Sequence, residues 1–296
     1  MSQAPVVRRR GSRDLTPNHK RLYQLVRRAG SLSRADLMRQ SGLTFPSISR
    51  LVTDLLAFGL LKEGASRRGG MGKPPVELGV VPSHGYSLGI YLDGDTATSS
   101  LVNALGETLK KTSFPAVSLT QEITNTLGES SINPDRLIGV SLATPEETIV
   151  EEDRQRLSSQ VNVPIIAVPM IACSVRAERY FGSGGQLGRF LYFDAALLEL
   201  GVVVNGQVLA RPGTLSTLLR VQQGKPSPER DVLPEALRGA AALIQAEALV
   251  VGGSSAEDLE TLNRQIADLP VVPAAAQAND PALAAAAVLL DETFGV

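Results

Sequence analysis

The chain is short of the residues that build metal centres and disulfide frameworks. Its 296 residues include one cysteine, Cys173, and two histidines, His19 and His84. A single thiol excludes an internal disulfide and every multi-cysteine zinc site, and neither imidazole lies in a cluster with metal-ligand spacing. Long apolar runs are also missing. No stretch of membrane-spanning length is free of charges and helix breakers, and the arginine-rich N-terminus lacks the apolar segment of a signal peptide. A cytoplasmic protein with no membrane partner is the expectation.

Net charge is nearly absent as well, at −1, but the balance hides a division. Residues 1–80 hold 15 Lys and Arg against 5 Asp and Glu, which leaves 14 basic and 25 acidic residues for the rest of the chain. A basic head on an acidic body suits a protein that holds nucleic acid at one end and repels it from the other. At this length two or three folded units are expected, with room for a substantial core.

The basic head contains the stretch around which the chain is organised, Leu32 to Leu78. Ser33 reads as the N-cap of a helix, with Asp36 completing a short capping box, and Gly42 supplies the positive φ that ends it. After Leu43, Thr44 caps a second helix with Pro46 in its first turn. Ile48, Leu51, Val52, Leu55 and Leu56 form one apolar stripe, while Ser47, Ser49, Arg50 and Thr53 lie on the opposite face. Small and basic groups of this kind can approach phosphates and base edges closely. Leu60–Glu63 and Val76–Leu78 read as two short strands around the tip Ala65–Pro75, which is glycine-rich and carries Arg67, Arg68 and Lys73. Such a tip suits a wing that follows a DNA backbone or enters a minor groove. Helix, glycine turn, second helix and basic hairpin together predict a winged helix-turn-helix over residues 16–80, preceded by a disordered basic arm at 1–15. An earlier helix, from about Pro17 to Ala29 and bearing Leu22, Leu25 and Val26, should complete its core.

The pattern changes after Val81–Gly85. Strands are predicted at Ser87–Leu92, Ala97–Asn103 and Thr108–Phe114, then a helix at Leu119–Leu127 and strands at Leu137–Leu142 and Val163–Val168. A helix over Cys173–Phe181 stops at the glycines of 182–185. Strands at Phe190–Phe193, Gly201–Val204 and Gln207–Leu209 follow, the last two joined by Asn205-Gly206. Helices at Pro234–Ala248, Ala256–Ala267 and Pro281–Leu290 alternate with strands Ala248–Val251 and Pro270–Val272, which makes residues 86–296 an α/β body. No repeat is visible at solenoid periods, though two related halves would not be surprising.

Leu32–Leu37, Ser41-Gly42-Leu43, Ser47–Val52, Gly59-Leu60-Leu61, Gly72–Leu78 and Leu88-Gly89-Ile90, with Ala177–Gly182, Val202–Gly206 and Val250–Gly253, resemble the ROK family of repressors, open reading frames and sugar kinases. The likeness is to its transcription-factor branch. It implies a two-lobed body of the actin-like ATPase, ribonuclease H-like type, a recognition helix in the major groove, and a wing tip in the minor groove. Lys73 stands where such wings carry arginine, keeping the charge but losing the planar fork. The resemblance also implies where kinase chemistry would sit, and there the chain departs from it. Pro169-Met170 occupies the place of the Asn-Asp pair that supplies the base, counted back from Glu178, and neither residue can accept a proton. The phosphate turn reads Asp93-Gly94-Asp95-Thr96, with an added carboxylate. The sugar- and zinc-binding segment reads Thr214–Arg220, and its following cysteines are missing.

The expected function is therefore a sequence-specific transcriptional regulator, a repressor of carbohydrate-related genes by the habit of the resembling family, without catalytic residues, metal or cofactor. Arg34, Thr44, Ser47, Ser49, Arg50, Thr53, Arg67, Arg68 and Lys73 are the candidate contacts to double-stranded DNA. Homodimerisation is expected because one such unit reads few base pairs. The alanine-rich last helix and the hairpin 201–209 are either contact surfaces or core. The body either senses a small effector, such as a sugar or derivative, or serves only as an oligomerisation and protein-interaction platform. An active sugar kinase is the enzymatic alternative.

Overall fold

In a computed structural model the residues described are 15–66, 75–130, 132–144, 151–215 and 233–295. The first three helices are bounded by local chemistry. Helix α1 (Pro17–Ala29) opens on a reciprocal box between Thr16 and His19. In α2 (Arg34–Ser41) the Ser33 hydroxyl accepts from the Asp36 amide, and the Asp36 carboxylate accepts from the Ser33 N–H at 3.1 Å. The Ser33 hydroxyl, donating to the same carboxylate at 2.6 Å, and then the Ser33 N–H hold the Asp36 carboxyl below the usual carboxylate range. Gly42, at φ +70°, ends the helix by donating its N–H to Met38 O. Helix α3 (Phe45–Ala57) departs from expectation at its start. Thr44 is the N-cap residue, but its hydroxyl lies 3.0 Å from Ser47 Oγ and caps no backbone amide.

Strands β1 (Leu32–Ser33), β2 (Leu61–Ser66) and β3 (Val76–Val80) form an antiparallel sheet in the order β1-β3-β2, with Leu32 opposite Leu78 and Leu61 opposite Val80. The predicted apolar stripe is the core of this unit: Ile48, Leu51, Val52 and Leu55 are buried with Leu22, Val26 and Leu37.

The body is one supersecondary unit used twice. Its first half runs β4 (Tyr86–Asp93), β5 (Thr96–Asn103), β6 (Thr108–Pro115), α4 (Leu119–Glu129), β7 (Leu137–Thr144), α5 (Glu151–Val161), β8 (Ile165–Pro169) and α6 (Met170–Phe181). The second runs β9 (Arg189–Asp194), β10 (Glu199–Val204), β11 (Gln207–Ala210), α7 (Leu233–Ile244), β12 (Ala248–Gly252), α8 (Ala256–Gln265), β13 (Val271–Pro273) and α9 (Pro281–Phe294). The sheets have matching orders, β6-β5-β4-β7-β8 and β11-β10-β9-β12-β13, each an antiparallel meander continued by two parallel strands. Central strands covered on both faces need continuous apolar runs, and Leu88, Ile90, Val140 and Leu142 supply them. Lys110 and Lys111 blunt the edge strand β6.

The last helix of each half also packs against the sheet of the other. Helix α9 packs on β4, β5 and β7, α6 packs on β10 and β11, and the two helices lie against one another. Backbone-level contact requires small residues. A Cβ on Gly89 would fall 2.1 Å from Ala282 O and 2.2 Å from Ala286 N, and Ala282 and Ala284 to Ala287 are all buried. The alanine run is thus core, and this helix is not a free surface for dimerisation.

The head shares its core with this body. One apolar cluster joins Leu22, Tyr23 and Val26 to Val102, Tyr180, Leu283, Leu290 and Phe294.

Candidate functional site

On α3, burial of Ile48, Leu51, Val52 and Leu55 turns the polar positions outward. Arg50 and Thr53 are exposed, and Ser47 and Ser49 half-buried. The Thr53 hydroxyl donates to Ser49 O at 2.9 Å, which ties up its proton and leaves the oxygen as an acceptor. Thr44 is exposed beside Ser47 at the start of this row. Arg34, at the first position of α2, is held by Glu63 of β2 at 3.1 Å in a half-exposed ion pair. To reach a phosphate its guanidinium must leave that carboxylate or share it, an exchange that costs little because exposed pairs are weak. Arg67, Arg68 and Lys73 lie outside the described residues, so the hairpin tip contributes no geometry here.

One residue of this surface escaped the sequence reading. Phe45, in the first turn of α3, is 53% exposed. The signal was available, since Phe45 lies outside the predicted apolar stripe yet directly precedes Pro46. An exposed ring there can contact a thymine methyl.

The positions that the resemblance assigned to phosphoryl transfer look different. Pro169 ends β8 and Met170, 4% exposed, begins α6, so the helix starts on a ring and a thioether. Glu178 is fully buried. It accepts hydrogen bonds from the Ala275 N–H at 2.8 Å and from the Ser183 hydroxyl and Gly184 N–H, both at 3.1 Å. Three donors from two loops make it a staple between α6 and the segment before α9. The turn Asp93–Thr96 is an exposed hairpin, and Asp194 lies buried at the end of β9. Its carboxylate accepts from the Ala196 and Leu197 N–H groups at 3.1 and 3.0 Å. Burial, and then the charges of Asp93 and Asp194, raise the Tyr91 hydroxyl above its ordinary pKa. A cavity of about 410 Å3 lies beside Gly253, lined by Phe193, Leu198, Leu233, Asp258 and Leu262.

Among the described residues, no group of three or more His, Cys, Asp or Glu is placed to hold a metal ion, and no helix is long and apolar enough to cross a membrane.

No protein-family model matches the chain. A 61-residue stretch, 21% of the chain, is 38% identical to an uncharacterised protein, y4fQ, of Sinorhizobium fredii, and spans only 16% of that protein's length. Among solved structures, a ROK family transcriptional regulator, a homologue of the Escherichia coli Mlc protein, superposes with a TM-score of 0.64 at 17% identity. That match covers 94% of this chain and 96% of the regulator. Two further structures each superpose with a TM-score of 0.52 over 70% of this chain and 99% of their own. One is described as a sugar kinase from Cytophaga hutchinsonii (17% identity), the other as an N-acetylmannosamine kinase from Listeria monocytogenes (14%). Over nearly its whole length the chain therefore has the fold of that ROK regulator, and its two-lobed body has the fold of the sugar-kinase type.

Proposed function

We propose that the chain is a ROK-type transcriptional regulator, a repressor. On this reading residues 16–80 are a winged helix-turn-helix that binds double-stranded DNA, and residues 86–296 a body that transfers no phosphoryl group. The observation that carries the reading is the outward row of α3, with Ser47, Ser49, Arg50 and Thr53 presented over an apolar stripe in the basic quarter of the molecule. The extent of the structural likeness supports it: the regulator matches 94% of the chain and the kinase-type proteins 70%. Arg50, Ser47, Ser49, Thr44, Thr53 and Phe45 read the major groove and its margins. Arg34, Arg67, Arg68 and Lys73 hold phosphates. The protein acts in the cytoplasm as a homodimer on paired half-sites, and the body sets the DNA-bound state through a small effector or through assembly.

The test is selection of duplexes from a random pool by the purified chain, followed by anisotropy titration of the selected site. Arg50→Ala should lose about 1–3 kcal/mol of discrimination. Arg67→Ala and Arg68→Ala should weaken all duplexes alike and lower the salt slope by about one each. Failure to bind any duplex at low salt would overturn the reading.

A second reading, sugar kinase, is favoured by the body's fold and opposed by Pro169 and Met170 at the position of the base. Transfer of phosphate from ATP to a hexose by the purified chain would establish it.

A further inference from the structure

Where the head meets the body, two neighbouring arginines of α1 have opposite fates. Arg27 is fully engaged: its guanidinium lies 4.0 Å over the Tyr180 ring, donates to Tyr180 O, and donates from Nε to Gln24 Oε1 at 2.9 Å. Arg28 faces a cavity of about 260 Å3 lined also by Arg179, Gly184, Gly185, Gly188, Asn205 and Asp291. Its Nε is buried with no hydrogen-bond partner, and among the described residues no carboxylate forms an ion pair with it. The lone acid of this cavity, Asp291, is held by Arg179 at 3.0 Å and Arg176 at 3.5 Å, so two guanidiniums share one carboxylate and the wall keeps a positive excess. A second cavity of about 650 Å3 adjoins the first, sharing Gln24, Arg28, Gly185 and Gln186 and adding Arg21 and Gln40. The glycines matter here, since a Cβ on Gly185 would meet the Arg28 guanidinium at 2.0 Å.

A guanidinium whose buried Nε lacks an acceptor, set in a glycine-walled cavity, is a natural partner for an anion. We propose that this junction is a binding site for a small phosphate-bearing metabolite, with the phosphate between Arg28 and Arg179 and the polar remainder in the outer cavity beside Gln40 and Gln186. Planar guanidiniums present paired donors to phosphate oxygens, and the inner volume fits that group with few further atoms. The outer cavity has the size of an ordinary small-molecule site. The bound anion joins α1 of the head to the turn after α6 of the body. The site stands whether or not the head binds DNA.

The experiment is titration of the full chain with inorganic phosphate by calorimetry, against chloride of matched ionic strength. Saturable binding is expected, weakened about tenfold or more in Arg28→Gln, the loss of one charge-assisted contact. Gln186→Glu, a change at an exposed position of the lining, should weaken it several-fold by adding a negative charge and keeps the test decisive if the Arg28 variant folds poorly. No saturable heat beyond the chloride control, or binding that survives both substitutions, overturns the proposal.

Discussion

At the residue scale, the junction turns on His84. Its ring lies 4.7 Å from Phe294 and 5.4 Å from Tyr23, centroid to centroid. The neutral tautomer with its proton on Nδ1 donates to Val81 O and accepts from the Tyr23 hydroxyl at 3.4 Å. Burial lowers its pKa to about 4, against the partial opposition of the Val81 hydrogen bond. A histidine whose folded pKa is depressed binds its proton more readily when unfolded. The stability it supports is therefore whole above pH 6.5 and is lost as pH falls toward 4. Discounted for partial exposure, that loss is about 2 kcal/mol. Urea denaturation at both ends of this window should show the loss in the native chain and a smaller one in His84→Phe. The sequence showed His84 only as an imidazole outside any cluster with metal-ligand spacing, because its aromatic partners lie 61 positions before it and far downstream.

At the scale of elements, boundaries were legible wherever side chains close them locally. Ser33 with Asp36, Gly42 and the Asn205-Gly206 turn all behave as their chemistry requires. Strand β1 was not legible, since two residues carry no periodicity and pairing with β3 alone makes them a strand. Helix α5 was missed because Glu151–Val161 is mostly charged and polar, with Leu157 and Val161 too thin a stripe to read. The role of the alanine run was left open between surface and core, and Gly89 decides it. Gly89→Ala would drive a methyl into the α9 backbone, which cannot move without disturbing α6. A loss of about 3 kcal/mol is expected, at the upper end of overpacking costs. Thermal melting of that variant beside a surface control such as Gly128→Ala, where a Cβ meets nothing, checks it.

At the scale of the whole molecule, the duplication was invisible because each half keeps the apolar pattern of its strands without keeping the residues: Tyr86–Asp93 and Arg189–Asp194 share little beyond a buried run ending in aspartate. The exposed face of α3 could be read at a distance because it depends on helical spacing alone. The junction site could not, since Arg28, Arg179 and Gly185 converge only when the chain is folded. Head and body share an apolar cluster, so they should unfold together. Phe294→Ala, which removes the ring packed on Tyr23 and His84, should cost about 3–5 kcal/mol. It should lower the midpoints of probes placed in α3 and in β9 equally. A head that melts first and alone would contradict the shared core.

The Gln24 side chain donates to Phe294 O across 270 positions of sequence, and Tyr23 beside it packs on the same residue. During translation the first helix emerges from the ribosome long before the segment that covers it is made. Tyr23 must therefore wait uncovered, and a helix made some 270 residues before its cover matures late. A chain stalled partway through the second lobe would present that sticky side of α1 to chaperones, so the proposed operator would meet finished molecules in preference to nascent ones.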